Sequence, residues 1–170
     1  MPTKKAEDKL DTRATEVIIP KDIDLNQYIP VRNGFQGRLI YKSSRTGEKF
    51  IWDKYGSEQE VELKELKNAK NTMKGYFKNN WFMFDKDWLW VIDYLGVKEF
   101  YKNMIPIDDF DSIFTKSVSE IKKRIGTMSK GQKSSVAYRA VELIAQGEID
   151  SIAKIDALSE ALGIELREKN

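Results

Sequence analysis

The sequence contains neither cysteine nor histidine among its 170 residues. The lack of cysteine excludes disulfide bridges, thiolate zinc sites and thiol nucleophiles. The lack of histidine removes the usual general base near neutral pH and the commonest nitrogen ligand of transition metals, so serine–histidine triads and most metal hydrolases are excluded too. We predict a protein that is not an enzyme, with no catalytic residues, no metal ligands and no cofactor. A carboxylate-only or lysine-based enzyme is the remaining alternative.

Long apolar runs are missing as well. The longest stretch of large apolar residues, 88–92, is far too short to cross a bilayer. Lysines stand near the N-terminus without an apolar run behind them, which is not the pattern of a secretory signal. We therefore expect no membrane contact and a protein made inside a cell. The hydrophobic fraction of 41% and the charged fraction of 33% are typical of one soluble domain, with or without small attachments.

The order of predicted elements indicates an α+β fold in three parts. Residues 1–30 are expected to form an extended N-terminal arm, because charged residues dominate its first half, and Pro20 and Pro30 bracket scattered apolar residues in its second half. Residues 31–105 are expected to form an α+β core with a β-hairpin. Residues 106–170 are expected to form a helical C-terminal unit.

The predicted core begins with the β-hairpin. Two β-rich runs, 37–42 and 48–52, are separated by a loop that ends at Gly47, a residue suited to positive φ. Residues 59–63 alternate polar and apolar side chains, which predicts a third strand beside the hairpin. The three strands would make a small antiparallel meander or a half-barrel. A helix follows from about Lys64, with apolar residues at spacings of three and four.

Capping patterns organise the predicted C-terminal unit. The spacing of a capping box, in which each side chain bonds the other residue's free backbone N–H, occurs twice and predicts two helices. The two pairs are Ser117 with Glu120 and Ser129 with Gln132, and the helices would span about 118–125 and 130–146. Asp150 is expected to cap a last helix, which ends at Gly163.

Two segments imitate known ligand sites. Residues 126–134, GTMSKGQKS, look like a phosphate-binding loop, but Gln132 separates the second glycine from the lysine, and the run follows a helix instead of a strand. A helix end followed by a capped helix start explains it better. The cluster of Asp108, Asp109 and Asp111 lacks the glycine and the terminal glutamate of a calcium loop. Acidic residues at a helix N-terminus are therefore the simpler interpretation.

Partner-binding residues are expected on the arm and around the hairpin tip, 44–47. Trp52 stands beside Tyr41 and Tyr55 on a small sheet, where it is a candidate to face a partner. The other tryptophans lie within apolar runs and are expected in the core. The predicted partner-binding residues are Lys4, Lys5, Ile18, Ile19, Tyr28, Arg45 and Trp52.

The charges of residues 116–139 are one-sided, with seven basic residues against Glu120 alone, although the formal net charge of the chain is only +2. Such a patch suits the phosphates of a nucleic acid or an acidic protein surface. The short turn and the clear recognition face of a helix-turn-helix are not evident in this stretch. The residues predicted to contact nucleic acid or an acidic partner are Lys122, Lys123, Arg124, Lys130 and Lys133.

Three stretches carry a resemblance to a known class of proteins: IPVRNGFQGRLIYKSSRTGEKFIWDKYGSEQEVELKELKNAKN, NNWFMFD and MSKGQKSSVAYRAVELIAQGEIDS. They resemble small structural proteins of tailed bacteriophages that infect Gram-positive bacteria. The resemblance spans about residues 29–166 and brings no catalytic motif with it. It implies a virion component assembled in the host cytoplasm, with other virion proteins and copies of itself as partners. The alternative is a small nucleic-acid-binding or regulatory protein that uses the basic patch.

Overall fold

A computed structural model describes residues 17–167 of the chain. The predicted contacts of Lys4 and Lys5 lie outside the described residues. The strands are β1 (Tyr28–Asn33), β2 (Leu39–Lys42), β3 (Lys49–Trp52), β4 (Glu58–Glu62) and β5 (Phe82–Met83). The α-helices are α1 (Leu63–Thr72), α2 (Gly75–Lys78), α3 (Trp90–Tyr94), α4 (Val118–Gly126), α5 (Lys130–Ala145) and α6 (Ile152–Leu162). Three 3₁₀ helices span Lys86–Trp88, Lys98–Tyr101 and Ile107–Thr115.

The predicted α+β class, with a small antiparallel sheet followed by C-terminal helices, is confirmed. The strand pairing differs from the predicted meander. β1 is the central strand of a three-stranded sheet in the order β4-β1-β5, and β2 pairs with β3 as a separate hairpin. Where β4 meets the hairpin, the side-chain amide of Gln59 donates to the carbonyl oxygen of Ile51 at 2.9 Å. Residues 28–30, which we assigned to the arm, are the first residues of β1.

The sheet and hairpin enclose an aromatic core. The alternation of β1 buries Ile29 and Val31, and the alternation of β2 buries Tyr41. Phe82 of β5 lies at the centre, with its ring centroid 5.6 Å from that of Tyr41 and 5.4 Å from that of Phe77. Edge-to-face pairs of this kind add about 0.5–1.5 kcal/mol each beyond the burial of their area.

The C-terminal helices enclose a second apolar cluster, which includes Ile113, Ile121, Val136 and Leu158, each fully buried. The capping box at Ser117 is complete in both directions, as predicted. The second predicted box is only half formed. Ser129 accepts from the backbone N–H of Gln132, but the Gln132 side chain bonds the backbone N–H and the carbonyl of Ile105 instead.

The last helix is capped by Ser151 instead of the predicted Asp150. The Ser151 hydroxyl accepts from the backbone N–H of Lys154. Serine and aspartate cap helices about equally well, so two adjacent candidates leave a one-residue ambiguity in the sequence. The helix ends at Gly163 as predicted, with that glycine at a φ of 69°.

Residues 126–134, which look like a phosphate-binding loop in sequence, pack against the α+β core. We call this contact between the core and the helical C-terminal unit the joint. A Cβ atom on Gly131, in the first turn of α5, would overlap the backbone and side chain of Asn79. The Ser129 hydroxyl donates to the side-chain oxygen of Asn80 at 2.9 Å. One turn further along α5, the Ser135 hydroxyl donates to the carbonyl oxygen of Gly34 at 3.2 Å. Glycine at position 131 therefore serves close packing.

The joint can be tested with two glycine substitutions. We expect Gly131→Ala to lower the free energy of unfolding by about 1–3 kcal/mol, because the added methyl group displaces the Asn79 turn. Gly126→Ala is the matched control, since no atom lies within 4 Å of its added Cβ, and it should leave stability unchanged or raise it by up to about 1 kcal/mol. Urea titration measures both changes. Equal responses of the two variants would contradict the packing role.

Candidate interaction surfaces

The first described residues of the arm, 17–19, are apolar and exposed. Ile18 has 84% of its surface exposed, and Val17 and Ile19 are exposed as well. Within residues 17–167, none of the hydrogen bonds involves residues 17–23. The structure therefore leaves the predicted partner residues Ile18 and Ile19 accessible.

The base of the arm is anchored. The carbonyl oxygen of Leu25 accepts from the backbone N–H of Lys64, and that of Gln27 accepts from the backbone N–H of Leu63, each at 2.9 Å. These bonds satisfy the free N–H groups of the first turn of α1. Tyr28, the next residue, enters β1 with 59% of its surface exposed. The arm thus leaves the core from a fixed point.

Trp52 is not a partner-binding residue, contrary to the prediction. It is fully buried, and its indole N–H donates to the carbonyl oxygen of Val31 at 2.8 Å. Its ring lies 5.5 Å from the ring of Phe82, centroid to centroid. The prediction failed because the alternation of side chains along a strand does not reveal which face the core covers.

Two other predicted residues, Tyr28 and Arg45, line one small depression of about 100 Å³. The register of β1 against β4 sets Tyr28 opposite Glu62, and the β2–β3 loop brings Arg45 to the same place. We call this depression the glutamate cleft. Its residues are Tyr28, Arg45, Glu48, Phe50, Glu60, Glu62 and Glu65.

Glu65 is the floor of the glutamate cleft, and its carboxylate is held by three donors. The hydroxyl of Tyr41 donates at 2.8 Å, Arg45 donates at 3.1 Å, and the side-chain amide of Asn68 donates at 3.2 Å. Burial alone would raise the pKa of Glu65, but the hydrogen bonds around the carboxylate outweigh burial and hold the pKa below its usual value. Glu65 is therefore ionised at neutral pH and fixes Arg45 in place.

The glutamate cleft already holds a positive side chain of this chain, because Arg45 pairs with Glu65 at 3.1 Å. Lys64 pairs with Glu62 in the same way, at 2.8 Å. Residues 17–167 contain no group of three Asp or Glu side chains placed to hold a metal ion.

The predicted basic patch is partly neutralised within the fold. Lys122 forms an ion pair with Glu160 of α6 at 2.7 Å, and Arg124 donates to the carbonyl oxygen of Met104 at 3.1 Å. Lys123, Lys130 and Lys133 form no ion pair with another residue between 17 and 167. The structure thus splits the five predicted contact residues into two that support the fold and three that keep their charge toward solvent or a partner.

Asp108 and Asp111 form ion pairs, and the pair of Asp108 crosses the seam between the two units. Arg32 of β1 donates to Asp85 at 3.2 Å and to both carboxylate oxygens of Asp108 at 3.1 Å. Asp111 accepts two bonds from Arg139 of α5, at 2.9 and 2.7 Å. The hydrogen bond from Arg32 lowers the pKa of the Asp108 carboxyl. Asp108 therefore links the core to the helical unit, whereas Asp111 links two elements within the helical unit.

A larger depression opens beside these ion pairs. We call it the seam groove, and its volume is about 220 Å³. Its apolar lining residues are Met83, Phe84, Leu89, Met104 and Ile107, and its charged lining residues are Arg32, Asp85, Lys86 and Asp108. No sequence pattern indicated this groove, because its walls come from β5, the 3₁₀ segments and the Met104–Asp108 connection, which are far apart in the chain.

Comparison of the chain with protein-family models, with curated proteins and with solved structures finds no significant match. Within the described residues, no helix is both long enough and apolar enough to cross a membrane.

The role of Glu65 can be tested through its pH dependence. We expect Glu65→Gln to lower the free energy of unfolding by about 1–3 kcal/mol at pH 7, because an amide cannot accept from all three donors. A lowered pKa in the folded state stabilises the fold above the usual glutamate value near 4.5, and this contribution is lost as the pH falls through the lower folded value. The difference between the wild type and the variant should therefore shrink in acid, as measured by urea titration across pH.

Glu60→Gln provides the matched control, since Glu60 lines the same cleft but is exposed. Its effect at pH 7 should stay within about 0.5 kcal/mol. A Glu65→Gln effect that does not change between neutral and acidic pH would show that the charge of Glu65 is not what stabilises this region.

Proposed function

We propose that this chain is a non-enzymatic assembly protein of a tailed-bacteriophage particle, which binds neighbouring virion subunits through its arm and surface helices. The observation that carries the proposal is the exposed apolar surface of the arm. Five of the ten large apolar residues that are exposed between 17 and 167 fall in the segment 17–28, so the unmet apolar surface is concentrated there. Three of the five, Val17, Ile18 and Ile19, are consecutive, and exposed apolar side chains that cluster are typical of a site that another macromolecule covers.

The anchoring of the arm supports the same role. A segment that is fixed at its base and apolar at residues 17–19 can cover a neighbour without disturbing the core from which it leaves. Pro20 restricts the backbone beside Ile19, which lowers the entropy lost when the segment is ordered on a partner. We propose the class of particle from the sequence resemblance to phage structural proteins.

The proposal is tested by particle composition. In particles purified from cells that carry the gene, quantitative mass spectrometry should find the wild-type chain at a fixed copy number. Ile18→Asp should reduce that copy number at least about tenfold. A carboxylate at position 18 is costly to bury against a neighbouring subunit unless that subunit offers it a charged or hydrogen-bonding partner. Wild-type chain that stays in the host cytoplasm and is missing from the particles would refute the proposal.

Ile152→Asp is the control for this experiment. Ile152 is 61% exposed at the start of α6, where an aspartate is compatible with a helix N-terminus. The variant should enter particles like the wild type. If Ile18→Asp and Ile152→Asp lower the copy number in particles equally, the arm is not the binding surface. The proposed location in the virion would still hold.

Nucleic-acid binding is the second candidate function, and the observation in its favour is the group of three lysines that form no ion pair with another residue between 17 and 167. Lys123 lies near the end of α4, and Lys130 and Lys133 lie in the first turn of α5. The positive end of the α5 dipole adds to their charge. The ion pair of Lys122 and the hydrogen bond of Arg124 argue that the surface is smaller than the sequence suggested.

A DNA titration separates the two candidates. An assembly protein should bind mixed-sequence duplex DNA weakly, with little difference between about 50 and 200 mM salt. A protein that uses three lysines on phosphates should bind tightly at low salt, and its affinity should fall steeply with salt. In that case the triple change of Lys123, Lys130 and Lys133 to alanine should reduce the slope of log affinity against log salt concentration by about three, because three phosphate contacts are lost.

The control for the titration is a triple alanine variant at Lys54, Lys67 and Lys74, which are exposed on the other unit. It removes the same charge from the chain as a whole. Equal effects of the two triple variants would mean that only net charge attracts the DNA, and no patch would then be assigned.

A further inference from the structure

We propose that the glutamate cleft of one copy of this chain binds lysines at the joint of a second copy. These lysines are Lys78, Lys130 and Lys133, which we call the joint lysines. The inference rests on the proposed assembly function, and it names a partner and the two surfaces that meet. The charges that the fold gathers at each surface carry it.

The joint brings together two parts of the chain that lack acidic residues. Residues 66–84 and 121–141 contain no aspartate or glutamate, whereas both contain several lysines. They touch where α5 begins, because a Cβ atom on Gly131 would lie 2.7 Å from the Cα atom of Asn79. These two segments therefore contribute only positive charge to the joint.

The joint lysines lie close together across this contact. Lys78 and Lys130 each stand one residue before it, and consecutive Cα atoms are about 3.8 Å apart, so their Cα atoms lie within about 12 Å of each other. Lys133 follows Lys130 by three residues on the same side of α5. Lys78 and Lys130 are exposed, and Lys133 is half-buried. None of the three forms an ion pair with another residue between 17 and 167.

The ammonium group of Lys78 is held beside the joint. Its Nζ atom lies 5.8 Å from the centre of the Phe100 ring, in a cation–π contact. The carbonyl oxygen of Phe100 accepts from the side-chain amide of Asn80, a residue of the joint, at 2.8 Å. Glu99, next to Phe100 in the chain, pairs with Lys102 at 2.9 Å. The charge of Lys78 is therefore left for a partner.

The glutamate cleft keeps a negative charge after its own ion pairs are taken into account. Four glutamates and one arginine line it. Two of the glutamates pair with Arg45 and Lys64. The other two, Glu48 and Glu60, are exposed and form no ion pair with another residue between 17 and 167. The cleft can therefore accept positive charge from outside the described part of the chain.

The size of the cleft selects a single side chain as its occupant. Its volume of about 100 Å³ is that of roughly three water molecules, at about 30 Å³ each. The end of a lysine side chain fits such a space, whereas a helix or a nucleic-acid backbone does not. Tyr28 and Phe50 line the cleft beside the carboxylates, and the face of an aromatic ring attracts an ammonium group.

Charge complementarity favours a second copy as the partner. Every copy carries both surfaces, and within one copy no ion pair joins a joint lysine to Glu48 or Glu60 in the described range 17–167. Glu60 lies on β4, and the Asn79–Asn80 turn leads into β5, the other outer strand of the sheet. A contact between two different surfaces closes into a ring or extends into a filament. Both arrangements are regular and suit a particle.

Sedimentation velocity on the full chain tests the contact. We expect the wild type to self-associate at about 50 mM salt and to associate at least about tenfold more weakly at about 300 mM, where surface charges are screened. At the lower salt concentration, Glu48→Lys/Glu60→Lys should weaken association at least about tenfold, because lysines in the cleft repel the joint lysines. Lys78→Glu/Lys130→Glu should weaken it similarly.

Glu148→Lys/Glu165→Lys is the matched control for the cleft variant. It changes the net charge by the same amount, at exposed positions outside the cleft. Its association should stay within about threefold of the wild type, since additive surface changes away from a contact have small effects. Equal weakening by the cleft variant and this control would overturn the inference, because net charge alone would then explain both.

Carbodiimide crosslinking identifies the residues in contact, because the reagent joins an amine directly to a neighbouring carboxylate. A mixture of unlabelled and isotope-labelled wild-type chain is treated and digested. Linked peptides that join Glu48 or Glu60 to a joint lysine should include pairs with different labels. If both linked peptides always carry the same label, the contact lies within one copy and the inference is wrong.

The remaining outcomes separate this inference from the proposed function. A chain that stays monomeric at both salt concentrations but is present in purified particles would overturn the inference and leave the proposed function standing. A chain that self-associates through these residues but is missing from particles would keep the contact and refute the phage role. If Lys78→Glu/Lys130→Glu abolishes binding to mixed-sequence DNA and the wild type does not self-associate, the inference fails in favour of nucleic-acid binding.

Discussion

The close contact between the Asn79–Asn80 turn and the first turn of α5 is the constraint on which the rest of the structure depends. Each unit has its own apolar cluster, so burial alone would let the two units meet in more than one way. At this contact, Gly131 permits backbone to approach backbone, and serine hydroxyls pair with Asn80 and Gly34. Directional bonds and a lack of free volume select one arrangement, which brings Arg32 to Asp108 and gives the seam groove its shape.

Helix boundaries depend on residues close in sequence and were predictable. The pairing of strands depends on residues far apart in sequence and was not. The first residues of α4 and α5 follow from serine caps, because a capping side chain bonds the backbone N–H only three residues further along. The third strand was predicted at its place in the chain but beside the wrong strand. Alternating side chains specify that β4 has a buried face, while its neighbour is decided by the route of the whole chain, which carries β4 to β1 instead of to the hairpin.

The same division explains the candidate site. The exposure of Ile18 and Ile19 agrees with their place beside Pro20 in a predicted extended segment, which the sequence alone indicated. The burial of Trp52 and the convergence of Tyr28 with Arg45 require the register between strands, which composition does not contain. The excess of basic residues in 116–139 could be read from the sequence. Its partial neutralisation by Glu160 was not, because α6 approaches α4 only in the folded chain.

The residues that stabilise the fold differ from the exposed apolar residues that we propose bind a partner. The joint and the two cores hold the chain in one shape, and residues 17–23 of the arm contribute Ile23 to the first core while Ile18 stays exposed. A contact made by a few arm residues buries far less than the roughly 1,000 Å² expected of a stable interface between two proteins, so a single such contact is weak. Weak contacts become strong when many copies are held together, since each additional contact then forms at a high effective concentration. A short apolar segment such as 17–19 is therefore better suited to a repeating assembly than to a stable pair of proteins.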